Sequence, residues 1–123
     1  MSLQCLTSDF VARINNAIKA QIPQIQVIKS QLIVNCTKKL TSLSYFESFE
    51  ETDRFVIINL NLKKLNKLNR VSTPGKRVYT SYARFPRIEN GKGWNIITTS
   101  KGIKTNYEAK QDKIGGEILF QVF

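Results

Sequence analysis

Basic and aromatic side chains are interleaved through the second half of the sequence. Arg70, Lys76, Arg77, Arg84, Arg87, Lys92, Lys101, Lys104, Lys110 and Lys113 are spaced among Tyr79, Tyr82, Trp94 and Tyr107. Cations of this kind neutralise phosphates and release condensed counterions, while aromatic faces stack on unpaired bases. Thr98, Thr99 and Ser100 fall together ahead of Lys101-Gly102, a turn signal. Short hydroxyls at a turn reach base edges and 2′-hydroxyls, which long lysine chains address less selectively. Tyr79 follows Lys76-Arg77 at a Pro-Gly turn, where it can stack or touch phosphate. Trp94 suits core packing better, as large aromatics do. The chemistry these residues suit is the binding of a polyanion.

Catalytic chemistry has little to work with. The chain has no histidine, which removes the Ser-His-Asp triad, an imidazole base near neutral pH and the usual zinc sites. Ser100 beside Lys101 lies in neither a G-x-S-x-G nor an S-x-x-K frame. Gly91-Lys92 lacks the upstream glycine and the following hydroxyl of a phosphate-binding loop. Glu47, Glu50 and Glu51 are crowded without metal-ligand spacing and read as a solvated strand edge. Cys5 and Cys36 show no C-x-x-C spacing and read as two small buried or half-buried thiols. No secretory signal points to the oxidising compartment that a disulfide needs. No cofactor, metal or small-molecule substrate is expected.

The charge is uneven. The 123 residues carry 19 Lys plus Arg against 9 Asp plus Glu, a net charge of +10. Residues 1–53 hold five basic and five acidic side chains, whereas residues 54–113 hold fourteen and three. Solubility alone does not demand that asymmetry, so residues 54–113 read as an electrostatic footprint. The charge suits a basic RNA-binding module, and an acidic membrane surface is the alternative partner. A membrane binder would need a basic amphipathic helix, and the most helical segment, 8–20, carries only Arg13 and Lys19.

The elements that must position these groups follow from periodicity and punctuation. Phe10, Val11, Ile14, Ala17 and Ile18 predict a helix, capped by Thr7 or Ser8 and stopped by Pro23. Ile25 and Val27 predict a short strand. Ser30 predicts the cap of a second helix with an apolar face of Leu32, Ile33, Cys36, Leu40 and Leu43. Tyr45-Phe46 open a Glu-rich strand, joined through Glu51-Thr52-Asp53 to a central strand around Phe55–Leu62. Residues 63–69 read as a basic connector. Loops are expected at Thr73-Pro74-Gly75, Phe85-Pro86 and Asn90–Gly93, a strand at Trp94–Thr99, and a tight turn at Ser100–Gly102. Thr105 with Glu108 forms a capping-box pattern for a short helix to about Lys113, closed by Gly115-Gly116 before a last strand. The fold class is α+β. An N-terminal α-β-α-β-β domain, residues 1–65, is expected to pack on a β-rich domain with one short helix, residues 66–123.

Arg70-Val71-Ser72-Thr73-Pro74-Gly75-Lys76-Arg77-Val78-Tyr79 resembles the R-[VI]-S-x-P-G-x-R-x-Y block of small-subunit ribosomal protein eight. Thr98-Thr99-Ser100-Lys101-Gly102 resembles that family's S-T-S-[KR]-G signature, and Gly115-Gly116-Glu117-Ile118-Leu119 its closing G-G-E-[IV]-L strand. Asp9 with Arg13–Ala17 resembles D-x-x-x-R-I-x-N-A, and Ser30-Gln31-Leu32 resembles S-K-L. The similarity covers nearly all of the chain. Thr98 keeps the hydroxyl of the signature's first serine. Asn15 and Gln31 stand where the family usually has cations, Trp94 where isoleucine is common, and Phe120 where cysteine is frequent.

The resemblance implies a non-enzymatic constituent of the small ribosomal subunit that binds the central domain of its rRNA. It implies that Thr98, Thr99 and Ser100 read bases and sugars, with Gly102 completing the turn. Lys76, Arg77 and Lys101 would neutralise phosphate, within a surface that includes Ser72 and Pro74. Tyr79 would lie against the RNA and Gly116-Glu117 approach it closely. Arg13, Asn16 and Ser30 would carry the N-terminal contacts. Neighbouring ribosomal proteins, ribosomal protein five among them, would be partners; a membrane would not. Thirteen Lys, ten Asn and fourteen Ile residues use AT-rich codons. With the absence of a transit-like presequence, this points to an organelle-encoded protein of a mitochondrial ribosome, ahead of a plastid or bacterial one.

Overall fold

The computed structural model describes residues 3–71, 78–80 and 93–123. Three helices and eight strands among them form an α+β protein. The chain divides into two compact units, Met1–Lys67 and Leu68–Phe123.

The first unit runs α1 (Leu3–Ala20), β1 (Gln24–Ile28), α2 (Gln31–Ser42), β2 (Phe46–Glu51) and β3 (Phe55–Leu60). β3 is central, in the antiparallel order β1-β3-β2. Alternation sets the faces: Val27, Val56, Ile58 and Leu60 are buried while Gln24, Gln26, Ile28 and Phe55 are exposed. α1 lies against β1 and α2 against β2, and Phe10, Ile14 and Ala17 of α1 and Ile33, Cys36 and Leu40 of α2 are buried. Each such burial is worth about 1.5–3 kcal/mol for the larger side chains. Phe10 and Phe46 meet edge-on, their centroids 6.3 Å apart. On the open face Gln24 Nε2 donates to Asn59 Oδ1 (3.0 Å), and Asn59 Nδ2 donates to Ser48 Oγ (2.8 Å). The expected hairpin is held by Thr52, whose Oγ1 accepts from the Phe55 N–H at 3.0 Å.

Helix ends depart from the sequence reading. Ser30 caps α2 as expected, accepting from the Ile33 N–H at 3.2 Å. Thr7 and Ser8 do not cap α1: the helix begins at Leu3, and Thr7 is buried within it. Nor does proline or glycine take the closing position of any helix among the described residues. Gln21, Ser44 and Lys113 take positive φ values of 59°, 70° and 57° just past α1, α2 and a third helix, α3 (Asn106–Gln111). The next N–H in each case reaches back five residues: Ile22 to Ala17 O, Tyr45 to Leu40 O, and Ile114 to Ala109 O. This is the Schellman closure, made here by residues that carry a Cβ. Gly116 lies in a strand, not at the helix stop.

The connector is also more structured than its composition suggests. Leu65 and Leu68 are buried. Lys64 Nζ donates to the Leu43 carbonyl at 2.7 Å and sits 4.8 Å from the Tyr45 ring centroid. One cation of the basic stretch therefore serves the C-terminus of α2 rather than a partner.

The second unit contains β4 (Leu68–Arg70), β5 (Tyr79–Thr80), β6 (Trp94–Thr99), β7 (Gly102–Thr105), α3 and β8 (Gly116–Val122). β7 appears where only a turn was expected. The sheet runs β4-β8-β6-β7, with β5 also on β8. β8 is buried along nearly its whole length, as a central strand must be when both faces are covered. Ile97 and Ile118 pack with Ala109 of α3, and Val71 and Val78 adjoin them. Asn69, Gln121 and Asn95 form an amide chain across three strands, with bonds of 3.3 and 2.9 Å. The capping box is present: Thr105 Oγ1 accepts from the Glu108 N–H, and the Thr105 N–H donates to Glu108 Oε1, both at 3.2 Å. No helix among the described residues is long and apolar enough to cross a membrane.

Candidate nucleic-acid interface

The hydroxyl-rich segment is the tip of the β6–β7 hairpin. Thr98 pairs with Ile103 and Thr99 with Gly102, leaving Ser100 and Lys101 as a two-residue turn. Gly102 closes it at φ 104°, a conformation that suits glycine. The Thr99 hydroxyl locks the turn from inside. It donates to the Gly102 carbonyl at 2.8 Å and accepts from the Lys101 N–H at 3.2 Å. A hydroxyl has one proton, so Thr99 presents a ligand with a lone pair only. Ser100 is exposed and Thr98 half-buried, and neither hydroxyl bonds to a described residue. Lys101 is exposed with no carboxylate partner among the described residues.

Strand register brings other candidates to this tip. Tyr79 pairs with Glu117, and Glu117 pairs with Thr98. Residues directly opposite in antiparallel strands share a face, so Tyr79, Glu117 and Thr98 form one row, about 10 Å across two strand spacings. Tyr79 is 64% exposed, whereas Glu117 is buried. In the next row Thr80 pairs with Gly116. A Cβ on Gly116 would overlap the Thr98 carbonyl oxygen and lie 3.1 Å from Ile97 Cγ2. The missing side chain at Gly116 is thus accounted for inside the protein: it lets β8 lie against the base of the hydroxyl turn.

Ser72, Pro74, Lys76 and Arg77 lie outside the described residues, as do the loops placed at Thr73–Gly75, Phe85-Pro86 and Asn90–Lys92. The flanks of the first segment are clear. The Val71 N–H donates to the Leu119 carbonyl at 3.1 Å, and the Ile118 N–H donates to the Val78 carbonyl at 2.9 Å. Val71 and Val78 are therefore bonded to adjacent positions of β8, next to Glu117.

Arg13, Asn16 and Ser30 belong to the first unit. Arg13 and Asn16 are exposed and one turn apart on α1. Arg13 Nε donates to Asp9 Oδ2 at 2.8 Å, so part of its charge is already answered. Ser30 is committed to its cap. Tyr107, named among the interleaved aromatics but given no role of its own, is 59% exposed and edge-on to Trp94, with centroids 5.0 Å apart. Its place in the capping-box helix was legible; its pairing with Trp94 depends on strand β7 bringing the two together. Trp94 is half-buried rather than a full core residue.

The described residues form an α+β protein whose hairpin tip exposes hydroxyl and ammonium groups. The family described as ribosomal protein S8 matches residues 6–123. The small ribosomal subunit protein uS8 of Parabacteroides distasonis is 37% identical over 127 residues, covering 94% of this chain and 96% of its own. That of Acholeplasma laidlawii is 37% identical over 124 residues (94% and 95%). The uS8c protein of Euglena gracilis is 34% identical over 133 residues (94% and 95%). The chain belongs to the ribosomal protein S8 family.

Proposed function

We propose that this protein is a structural, non-enzymatic constituent of the small ribosomal subunit and binds the central domain of its rRNA through the β6–β7 tip. The carrying observation is convergence. Tyr79, Glu117, Gly116 and the run Thr98–Gly102 arrive from separate parts of the sequence at one end of one sheet. Ser100 and Thr98 supply donors for base edges and 2′-hydroxyls, Lys101 supplies a phosphate contact, and Thr99 holds their spacing. Lys76 and Arg77 supply further phosphate contacts, with Ser72 and Pro74 in the same stretch of sequence between Val71 and Val78. Arg13, Asn16 and Ser30 give the first unit a smaller share. Ribosomal protein five is the expected neighbour, and the mitochondrial ribosome the expected setting, supported by the Lys, Asn and Ile enrichment.

The test is equilibrium binding to a central-domain rRNA fragment and to an unrelated duplex. Ser100→Ala should weaken the first about tenfold, the worth of one lost hydrogen bond, and leave the second unchanged. Both affinities should fall steeply with salt, with a log–log slope near −4 to −5 for about five phosphates. Equal loss on both RNAs would show that Ser100 does not read. Mass spectrometry of ribosomes from purified mitochondria checks the compartment.

A further inference from the structure

The aromatic pair at the other end of the hairpin is not used by the tip. Trp94 begins β6 and Thr99 ends it, a separation of about 17 Å along the strand. Tyr107 is held by Trp94 on one side, yet more than half of its surface is open to solvent. Its hydroxyl bonds to no described residue. Lys110, three residues on, shares its helix face and is exposed without an ion-pair partner among the described residues. The two acidic groups of this helix region are engaged elsewhere: Glu108 in the capping box, and Asp112 with Lys104 at 3.8 Å. Lys110 therefore stands beside an open ring with its charge unanswered, on a unit whose residues 68–123 carry ten basic and four acidic side chains.

We propose that Tyr107 and Lys110 form a second RNA contact, in which an unpaired base stacks on the Tyr107 ring and its phosphate meets Lys110. A ring restrained by a neighbour loses little rotamer freedom on binding, and stacking accepts any base. This contact adds single-strand affinity to the sequence-reading tip. It rests on the reading of this unit as RNA-binding, and the experiment separates the two.

Trp94 is the only tryptophan, so its emission reports on Tyr107. The full-length protein is titrated with an end-labelled oligouridylate of about ten nucleotides, followed by anisotropy and Trp94 quenching. Wild type should bind with quenching. Tyr107→Leu, which keeps apolar bulk against Trp94, should weaken binding about tenfold at unchanged melting temperature. Tyr107→Phe should bind as wild type, and Lys110→Gln should flatten the salt slope by about one. Unchanged affinity in Tyr107→Leu overturns the proposal. Photo-crosslinking of the wild-type protein in assembled subunits gives an answer that no folding defect can obscure. A nucleotide adduct at Tyr107 supports the contact; a protein adduct there, or none, overturns it. Loss of structured-RNA specificity in Ser100→Ala alone would uphold the tip while Tyr107 fails, and the reverse pattern would do the opposite.

Discussion

Gly116→Ala separates two explanations for the same glycine. Gly116 has no positive φ to protect, so alanine there would ordinarily stabilise by about 0.4–1 kcal/mol through the unfolded chain. The structure reverses that sign. The new Cβ would overlap the Thr98 carbonyl oxygen, a backbone atom that cannot swing away as a side-chain tip can. Thr98 is held on one side by Glu117 and on the other by Ile103, so relief requires β6 and β8 to part at the tip. Overpacking costs about 1–3 kcal/mol, and a lost ladder bond about 1 more, for a total of about 2–4 kcal/mol. At about 2.1 cal/mol/K of unfolding entropy per residue, 123 residues give about 4 °C per kcal/mol. The expected fall in melting temperature is therefore about 8–15 °C, with faster hydrogen exchange along Ile97–Thr99. A melting temperature at or above wild type would refute the packing argument. If specific rRNA affinity fell nonetheless, close approach of RNA to Gly116 would be the better account of the glycine.

Three more outcomes follow from local geometry. Ser44→Gly should raise stability by about 0.5–1 kcal/mol, because Ser44 holds φ 70° against a Cβ penalty that glycine lacks; calorimetry showing no gain would contradict this. Ser30→Ala should lower stability by about 1 kcal/mol through loss of the bond to the Ile33 N–H, read by urea unfolding. Burial pushes the Cys36 thiol from 9.0 up to about 12. The folded protein thus holds that proton more tightly than the unfolded chain. Its contribution to stability is constant below about pH 9 and declines between there and about pH 12. Site-mapped alkylation at pH 8 should accordingly modify Cys36 only as the protein unfolds; rapid labelling of the native protein would refute it.

Much of the first unit was legible because its signals are short-range. Phe55–Leu60 is a run rich in β-branched and aromatic residues that marks a strand, and it is central; Ser30 precedes an apolar helical face and caps it. Helix closures were not legible. Schellman geometry is chosen by glycine when local energy decides, but Gln21, Ser44 and Lys113 are placed by where the chain must go next, with Ile22, Tyr45 and Ile114 as the residues that bond back. β7 was missed because Gly102–Thr105 has a glycine and a lysine where a propensity scale asks for branched residues; pairing with β6 overrides it.

The sequence by itself determined the charge asymmetry, the lack of histidine, the hydroxyl run, the capping box and the family, since each depends on residue identity. Only the tertiary structure decided which of the hydroxyls is available. Hairpin closure consumes the Thr99 proton on the Gly102 carbonyl, while β8 brings Tyr79 and Glu117 into register with Thr98. Those alignments are made by backbone hydrogen bonds between segments distant in sequence, and such bonds carry no residue-type signature for a sequence to display.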